Sequence, residues 1–283
     1  YDPACGSGIF LIHYCDHILK LLNVLFHSRR VENLFEKILR NINGSDINEH
    51  AIKLSIMKLF RWAEQKDEID QVRVLEILEK NFKVQNSILE ENHATHDIIV
   101  GNPPYGNILK DHEKAKLEQE DTFYKDIYCT FLIKSLQWVK DGIIGYLVPK
   151  SFLLRQGYIQ FREKLMSRTN MLEIYDVGPN VFKRATNEVQ VLLYEKREGI
   201  LKDLTVFNYP GEKIINYPSQ EVDQLRICFN HECPLCNRMK KFFAYTKEHN
   251  CPYCSDSTTP LNRIRIKPSP EIFDVINKIE EIG

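Results

Sequence analysis

The alternation of apolar strands with helices through the first 196 residues most strongly limits how this chain can fold. The stretches DIIVG (97–101) and GIIGYLVP (142–149) predict strands buried in a core. Apolar residues recur at helical spacing from Gly8 to about residue 26, and DIYCTFLIKSLQWVK (126–140) predicts a further helix. Because helices that separate strands lie on the two faces of a sheet, the pattern predicts a doubly wound α/β fold with a mostly parallel sheet.

Composition places the chain among globular proteins with one sizeable core, since 43% of its 283 residues are hydrophobic and 27% are charged. The net charge of −1 argues against a uniformly basic nucleic-acid coat and leaves a local basic face open. No apolar run approaches the roughly 20 residues that a membrane span needs, and the first residues show no secretory signal. We therefore expect a cytoplasmic protein without membrane contact.

Two motifs lie where predicted strands end, which is where open parallel sheets bind ligands. The segment DPACGSG supplies Gly6 and Gly8, and a glycine lets the backbone approach a ligand closely. Asp46 ends the next strand, where a carboxylate can accept hydrogen bonds from both hydroxyls of a ribose. Together the motifs predict a nucleoside cofactor. The alternative is that the glycines form a tight turn and Asp46 caps a helix.

The segment NPPY (102–105) predicts an amine-binding site at the end of another strand. Proline restricts the residue before it, so the Asn102 side chain and the Pro103 carbonyl are held as two acceptors that face one point. When both hydrogens of an exocyclic amine are bound there, the nitrogen lone pair localises for attack without an enzyme nucleophile. Tyr105 would stack on the ring that carries the amine. The alternative is a rigid turn with Tyr105 at the surface.

The order DPACGSG, GSDIN, NPPY, VPKSFL and NVFKRATNEVQVLLY resembles the gamma-type N6-adenine DNA methyltransferases over residues 1 to about 196. The resemblance implies S-adenosylmethionine as cofactor, double-stranded DNA as partner and an adenine flipped out of the duplex. The implied cofactor residues are Asp2, Pro3, Ala4, Cys5, Gly6 and Gly8 for the methionine part, Asp46 for the ribose, Ile47, Asn86 and Ser87 at the adenine, and Phe131 closing the pocket. The implied catalytic residues are Asn102, Pro103, Pro104 and Tyr105, with Phe182 on the other face of the target base. A plain core role for Phe131 and Phe182 stays open.

Other functions remain open on the same residues. Two acceptors at NPPY would equally hold the N4 amine of cytosine, and the glutamine methyltransferases that act on release factors also carry an NPPY loop. A third alternative is a catalytically silent subunit that binds DNA or supports assembly. By resemblance, the expected setting is restriction-modification or phage defence, with a nuclease domain or subunit outside these residues.

The cysteines predict a second, smaller module. CPLC and CPYC place Cys233, Cys236, Cys251 and Cys254 in two CxxC pairs separated by fourteen residues, a spacing close to that of a structural zinc ribbon. Unligated thiols are the alternative. The expected domains are a methyltransferase domain at residues 1–208, a zinc-ribbon insertion at 224–260, and at 261–283 the start of a segment that leads to a target-recognition region.

Two expectations concern the surroundings of the site. The polar stretch 106–125, directly after NPPY, predicts a mobile loop or a surface helix in the position of a lid. The strand ahead of the glycine loop is reduced to Tyr1 and Asp2. The sequence is therefore expected to be a fragment that binds its cofactor weakly and has low stability.

Overall fold

The computed structural model describes most of the first 177 residues and shorter stretches beyond them. It covers residues 1–25, 33–66, 69–90, 95–177, 188–197, 204–208, 212–217, 226–227, 230, 245–246, 249–251 and 254–260. The helices are α1 (Ile9–Leu25), α2 (Leu34–Arg40), α3 (Glu49–Glu64), α4 (Gln71–Asn81), α5 (Asp111–Gln119), α6 (Ile127–Trp138), α7 (Ser151–Leu154) and α8 (Ile159–Arg168). The strands are β1 (Gly44–Asp46), β2 (Phe82–Val84), β3 (His96–Gly101), β4 (Val139–Pro149), β5 (Thr169–Asp176), β6 (Val189–Lys196), β7 (Leu204–Asn208), β8 (Glu212–Tyr217), β9 (Arg226–Ile227), β10 (Tyr245–Thr246) and β11 (Thr259–Pro260). The chain divides into two compact units, Tyr1–Leu147 and Val148–Gly283.

Parallel pairing organises the first unit. β1 pairs with β2, and β3 pairs with β4, in both cases parallel. The backbone of Tyr1 and Asp2 lies between β1 and β3: the Asp2 N–H donates to the Asn43 carbonyl (3.0 Å), and the Val100 N–H donates to the Tyr1 carbonyl (2.9 Å). Because parallel neighbours run in the same direction, the loops that follow Asp2, β1, β2 and β3 all leave from one edge.

Helices α1 to α4 build a large core in this unit. Leu11, Leu39, Leu59 and Leu78, one from each of these helices, are buried to 1% exposure or less. Helix α6 is buried almost all round, and Gln137 is its one exposed residue. Because α6 is covered on every side, its sequence does not need the polar face that a surface helix has.

Pairing in the second unit departs from the mostly parallel sheet that the alternation predicts. β5 pairs antiparallel with β6 and parallel with β7, and β7 pairs antiparallel with β8. Residues 209–211 alone separate β7 from β8. A connection of this length cannot carry the chain back to start a parallel neighbour, so β7 and β8 pair antiparallel. The short strand β9 pairs antiparallel with both β10 and β11.

Most elements predicted in the first 196 residues are confirmed, including the helices α1 and α6 and the buried strands β3 and β4. The elements that were not predicted are α2, α4, α7 and the strands from β7 to β11. The predicted segment 261–283 lies outside the described residues, and the domain boundaries at 208 and 224 stay predictions. In the described part of the chain, no helix combines the length and the apolarity that crossing a membrane requires.

Gly142 provides a test of the contact between β4 and β3. A Cβ at this position would overlap the Asp97 carbonyl and lie 2.7 Å from Val139 Cγ2. Because the first of these groups is backbone, it cannot turn aside as a side chain would. We expect Gly142→Ala to lower the free energy of unfolding by about 2 kcal/mol, the usual scale of overpacking. Urea denaturation followed by tryptophan fluorescence measures this difference.

The control for this change is Asp141→Ala, which alters the exposed neighbouring side chain. We expect it to change the free energy of unfolding by less than about 0.5 kcal/mol. Equal stability of the two variants would contradict the tight approach of the strands at Gly142.

Candidate active site

The glycine loop between Asp2 and α1 is held in place by α3. Gly6 and Gly8 have positive φ angles, 53° and 74°, which side chains other than glycine rarely adopt. A Cβ on Gly8 would lie 3.0 Å from Ser55 Oγ, so the loop and α3 are in close contact. The Ser55 hydroxyl donates to the Gly6 carbonyl (2.7 Å), and Lys58 Nζ donates to Ser7 Oγ (2.9 Å). The loop is therefore a formed structure whose backbone faces the edge where the strands end.

Asp46, at the end of β1, links this loop to the start of α3. Its Oδ2 accepts from the Gly6 N–H (2.9 Å), and its Oδ1 accepts from the Asn48 N–H (2.9 Å). An ionised carboxylate has about four lone-pair positions, so two remain for a ligand. The Asp46 side chain therefore shapes the loop and can still accept hydrogen bonds from hydroxyl groups.

Asp2 connects the glycine loop to the NPPY segment. Its carboxyl is almost fully buried, and Oδ1 accepts from the Ala4 N–H (3.0 Å). Burial raises the pKa of Asp2 to about 7, because the charged form loses its solvation. A Cβ on Gly101 would lie 2.7 Å from Asp2 Oδ1, so this carboxyl packs directly on the residue before Asn102. The contact brings the two motifs together although they are a hundred residues apart in sequence.

A cavity of about 350 Å³ opens at this edge of the first unit. Predicted site residues that line it are Pro3, Ala4, Asp46, Ile47, Asn86, Ser87, Asn102, Pro104 and Phe131. Further lining residues, which the motifs do not indicate, are Gln85, Ile108, Leu109, Glu113 and Ile127. The charged groups among these lining residues are two carboxylates, Asp46 and Glu113, with no basic side chain. The volume lies in the range of small-molecule sites.

Six predicted cofactor or catalytic residues in the described part of the chain do not line the cavity. They are Asp2, Cys5, Gly6, Gly8, Pro103 and Tyr105. Ser87 lines the cavity, but its hydroxyl donates to the Pro3 carbonyl (2.8 Å) and lies 3.2 Å from the Tyr1 hydroxyl. The single hydroxyl proton of Ser87 is therefore used in a hydrogen bond within the protein. The Asn86 side chain has no hydrogen bond among the described residues, and the backbone N–H of Asn86 donates to Glu90 Oε1 (2.8 Å).

The NPPY segment follows β3 and contributes Asn102 and Pro104 to the cavity wall. The Tyr105 hydroxyl lies 2.6 Å from Asn102 Oδ1 and donates to the Leu147 carbonyl (2.9 Å). Its ring meets the buried Tyr128 ring edge to face, with centroids 6.0 Å apart. Burial raises the pKa of Tyr105, so its hydroxyl stays protonated at any physiological pH. Tyr105 is thus held at its hydroxyl end as well as along its ring.

Residues 106–127, here called the pocket loop, form one wall of the cavity through Ile108, Leu109 and Glu113. The base of the loop is closed, because the Gly106 N–H donates to Asp126 Oδ1 (2.6 Å) and the Ile127 N–H donates to the Gly106 carbonyl (3.0 Å). Its middle is helix α5, in agreement with the surface-helix alternative for this stretch. A polar stretch without apolar periodicity could indicate a helix here but not which residues reach the cavity.

Several predicted site residues lie outside the part of the chain that the structure describes: Phe182, Cys233 and Cys236. Cys251 and Cys254 are described, at the turn between β10 and β11, where the Ser255 N–H donates to the Cys251 carbonyl (2.8 Å). Within the described ranges, no three or more His, Cys, Asp or Glu side chains group as metal ligands would. The zinc site and the role of Phe182 therefore stay predictions.

Comparisons with known proteins agree with this geometry. A family model described as Eco57I restriction-modification methylase matches residues 40–182. A proposed type II restriction enzyme and methyltransferase of Methanocaldococcus jannaschii is 29% identical over 187 residues, which cover 65% of this chain and 14% of that protein. The type II restriction enzyme and methyltransferase RM.Eco57I of Escherichia coli is 24% identical over 243 residues, covering 69% of this chain and 24% of that protein. The chain thus spans less than a quarter of the length of these two relatives.

Two solved structures share the fold. The M protein of the type I restriction enzyme EcoKI matches 73% of this chain and 43% of its own, with a TM-score of 0.56 at 16% identity. The type IIL restriction-modification enzyme MmeI, solved in complex with DNA, matches 76% of this chain and 34% of its own, with a TM-score of 0.56 at 16% identity. These likenesses show that the chain shares the fold of the two structures.

The ion pair at the end of α5 provides a test of how the pocket loop is anchored. Lys134 Nζ lies 2.5 Å from Glu120 Oε2, and the Lys134 side chain is only 8% exposed. Removing Glu120 leaves a buried ammonium without its partner, so we expect Glu120→Ala to lower the free energy of unfolding by about 3 kcal/mol. Chemical denaturation measures the loss.

The matched control is Asp111→Ala in the same helix. Asp111 pairs with Lys114 at 3.0 Å, but its side chain is fully exposed. Water screens this ion pair, so the pair contributes little to the free energy of unfolding. We expect no measurable change in stability. If Glu120→Ala is as stable as Asp111→Ala, the pair between Lys134 and Glu120 does not anchor the loop.

Proposed function

This chain belongs to the Eco57I restriction-modification methylase family, and on that premise we propose that it transfers a methyl group from S-adenosylmethionine to the N6 amine of adenine in DNA. The observation that carries the proposal is one cavity wall shared by Asp46, from the nucleoside-binding motif, and Asn102, from the amine-binding motif. A cofactor held by the first and an amine held by the second would meet at this edge of the sheet.

The charges of the cavity favour this cofactor over other nucleosides. The lining residues include Asp46 and Glu113 and no basic side chain. Dinucleotides and nucleoside triphosphates carry phosphates, which carboxylates repel and which proteins usually bind with Arg, Lys or a metal ion. S-adenosylmethionine carries a sulfonium and an ammonium beside a single carboxylate, so its net charge is positive and a wall of carboxylates attracts it. Ile47, Leu109 and Phe131 add apolar surface suited to its adenine.

The NPPY segment supplies acceptors for the amine, in the way that its sequence predicts. Asn102 Oδ1 and the Pro103 carbonyl accept the two N–H groups, and the nitrogen lone pair then points away from the ring plane. The cofactor, when bound, supplies an electrophilic methyl on its sulfonium. Transfer of that methyl to the amine held by Asn102 and Pro103 would form the N–C bond, break the S–C bond and leave a neutral thioether, and the amine would release one proton to solvent. Pro104 and Tyr105 keep the loop in the geometry that the reaction needs.

The substrate in this proposal is double-stranded DNA. An amine inside a base pair cannot enter a cavity at a sheet edge, so the target base must rotate out of the duplex. Tyr105, as an aromatic next to the amine site, would replace part of the lost stacking. RM.Eco57I and its M. jannaschii relative are named as restriction enzymes as well as methyltransferases. We propose the same pairing here, with a nuclease domain or subunit in the complete enzyme.

A structural zinc ion at the second CxxC pair is part of the proposal. Strands β9, β10 and β11 pair as a small antiparallel sheet, and CPYC lies in the connection between β10 and β11. Arg226 Nε donates to Thr258 Oγ1 (2.8 Å), and Thr258 Oγ1 donates to the His249 carbonyl (2.9 Å). These bonds fix the two ends of the turn that carries Cys251 and Cys254. Thiolates of both CxxC pairs would complete a tetrahedral site.

The first prediction of this proposal concerns Asn102. Asn102→Ala removes the side-chain acceptor of the amine, so we expect the methyl-transfer rate to fall by about 100-fold or more. Mass spectrometry of nucleosides from DNA incubated with the full-length protein and S-adenosylmethionine measures the product, N6-methyladenine. Asn41→Ala is the control, since it removes a surface carboxamide whose hydrogen bond is to the Lys37 carbonyl within its own helix region.

Other products would separate the alternatives. N4-methylcytosine that disappears in the Asn102 variant would keep the amine chemistry and change the base. Bound cofactor without any modified base would contradict DNA methylation and favour a glutamine side chain as substrate or a silent subunit.

The second prediction concerns zinc. We expect about one zinc ion per chain by plasma mass spectrometry of the full-length protein, and less than about 0.2 after Cys233→Ser with Cys251→Ser, because a closed site loses its ion without two of four ligands. Cys228→Ser, outside both CxxC pairs, is the control and should keep the ion. Metal-free wild-type protein whose four thiols all react with a thiol reagent would contradict the site.

A further inference from the structure

The Tyr105 hydroxyl has two possible acceptors and one proton. Its oxygen lies 2.6 Å from Asn102 Oδ1 and 2.9 Å from the Leu147 carbonyl oxygen. A phenol hydroxyl can donate one hydrogen bond and can accept others. If it donates to Leu147, two oxygen atoms without a proton between them face each other at the Asn102 contact. If it donates to Asn102, the Leu147 carbonyl loses its partner in a part-buried position, which is costly.

A half-turn of the Asn102 carboxamide removes this competition. The oxygen and the NH2 group of a carboxamide occupy nearly the same volume, so the rotation needs no movement of neighbouring atoms. Asn102 Nδ2 then donates to the Tyr105 oxygen, and the Tyr105 hydroxyl donates to the Leu147 carbonyl. Both contacts of the Tyr105 oxygen then pair one donor with one acceptor. Asn102 Oδ1 is then left without a partner in the protein, on a residue that lines the cavity.

We propose that the Tyr105 hydroxyl positions Asn102, by selecting the carboxamide orientation in which Oδ1 accepts from the target amine. The inference rests on the proposed function and adds a role that base stacking does not require. With the opposite orientation, Nδ2 would face the amine, and two donors would repel each other. The hydroxyl thus decides whether Asn102 binds the substrate or rejects it.

The surroundings of Tyr105 suit a positioning group. Leu147 belongs to β4, which pairs in parallel with β3, and the partner atom is a backbone carbonyl that side-chain motion does not move. Edge-to-face contact with the buried Tyr128 ring restricts the Tyr105 ring. The hydroxyl oxygen is therefore held at a fixed distance from Asn102 before any substrate arrives.

Tyr105→Phe tests the proposal because it keeps the ring for stacking and removes only the hydroxyl. In the full-length protein we expect unchanged affinity for S-adenosylmethionine, since Tyr105 does not line the cavity. At saturating DNA the single-turnover methylation rate should fall by about 10- to 100-fold, as for a misplaced reacting group. The DNA concentration for half-maximal rate should stay within about twofold, because the stacking surface is intact.

Tyr146→Phe is the matched control. Its hydroxyl lies 2.7 Å from Ser135 Oγ in the core, so the variant loses a buried phenol hydrogen bond without touching Asn102. We expect a lower melting temperature for both variants and a slower reaction for Tyr105→Phe alone. A Tyr105→Phe rate within about twofold of wild type, or an equal slowing of both variants, would overturn the proposal.

The side-chain NH2 signals of Asn102 in ¹H–¹⁵N NMR test the hydrogen bond directly in wild-type protein without DNA. Asn102→Asp identifies them by their loss. We expect one of the two protons to exchange slowly with solvent, because it is bonded to the Tyr105 oxygen. Fast exchange of both protons would overturn the proposal. Because the measurement uses wild-type protein, it holds even if Tyr105→Phe does not fold. If the wild type modifies no DNA but the slow proton is present, the positioning stands and the proposed function fails.

Discussion

The site depends on the pairing of Tyr1 and Asp2 with strands on both sides. Beyond the two bonds already given, the Tyr1 amino group donates to the Ile98 carbonyl (2.8 Å) and the Ser45 N–H donates to the Asp2 carbonyl (2.9 Å). Strands in a ladder lie about 4.8 Å apart, so β1 and β3 are held roughly 10 Å from each other. That is the length scale of a nucleoside. Asp46 and Asn102 can therefore act on one ligand although they are 56 positions apart in the sequence.

Some of the predicted cofactor residues use their polar groups to build the wall of the cavity, and others keep groups that can bind a ligand. The Ser87 hydroxyl is bonded to the Pro3 carbonyl and so joins the end of β2 to the glycine loop. Asp46 bonds two backbone N–H groups and still has acceptor positions free. A hydroxyl has one proton to donate, whereas a carboxylate has four lone-pair positions. An acid at the end of β1 can thus hold the protein and a ribose together, which a serine there could not.

The parts of the fold that sequence reasoning predicted are those with long, regular patterns. Helix α1 is long enough to show a period, and DIIVG and GIIGYLVP are apolar enough to indicate buried strands. Helix α2 has seven residues, about two turns, which is too short for a helical period of apolar residues to be recognised. Helix α4 carries buried residues at positions 74, 77 and 78, a helical spacing that was open to prediction. The sequence could not predict that Ile108, Leu109 and Glu113 line the cavity. Only the closed base of the pocket loop brings these residues there.

The same limit applies to the chemistry of NPPY. The two prolines restrict the backbone, so the direction of the Pro103 carbonyl follows from sequence alone. They do not restrict the outer torsion of the Asn102 side chain, and steric contacts cannot choose between two ends of equal size. Only a hydrogen bond can choose, and it must come from a group whose own proton is already committed elsewhere. Phenylalanine at position 105 would stack on a base as well as tyrosine does. A tyrosine whose hydroxyl is bound to the backbone of β4 also orients the amide, and this requires contact between segments that are 42 residues apart.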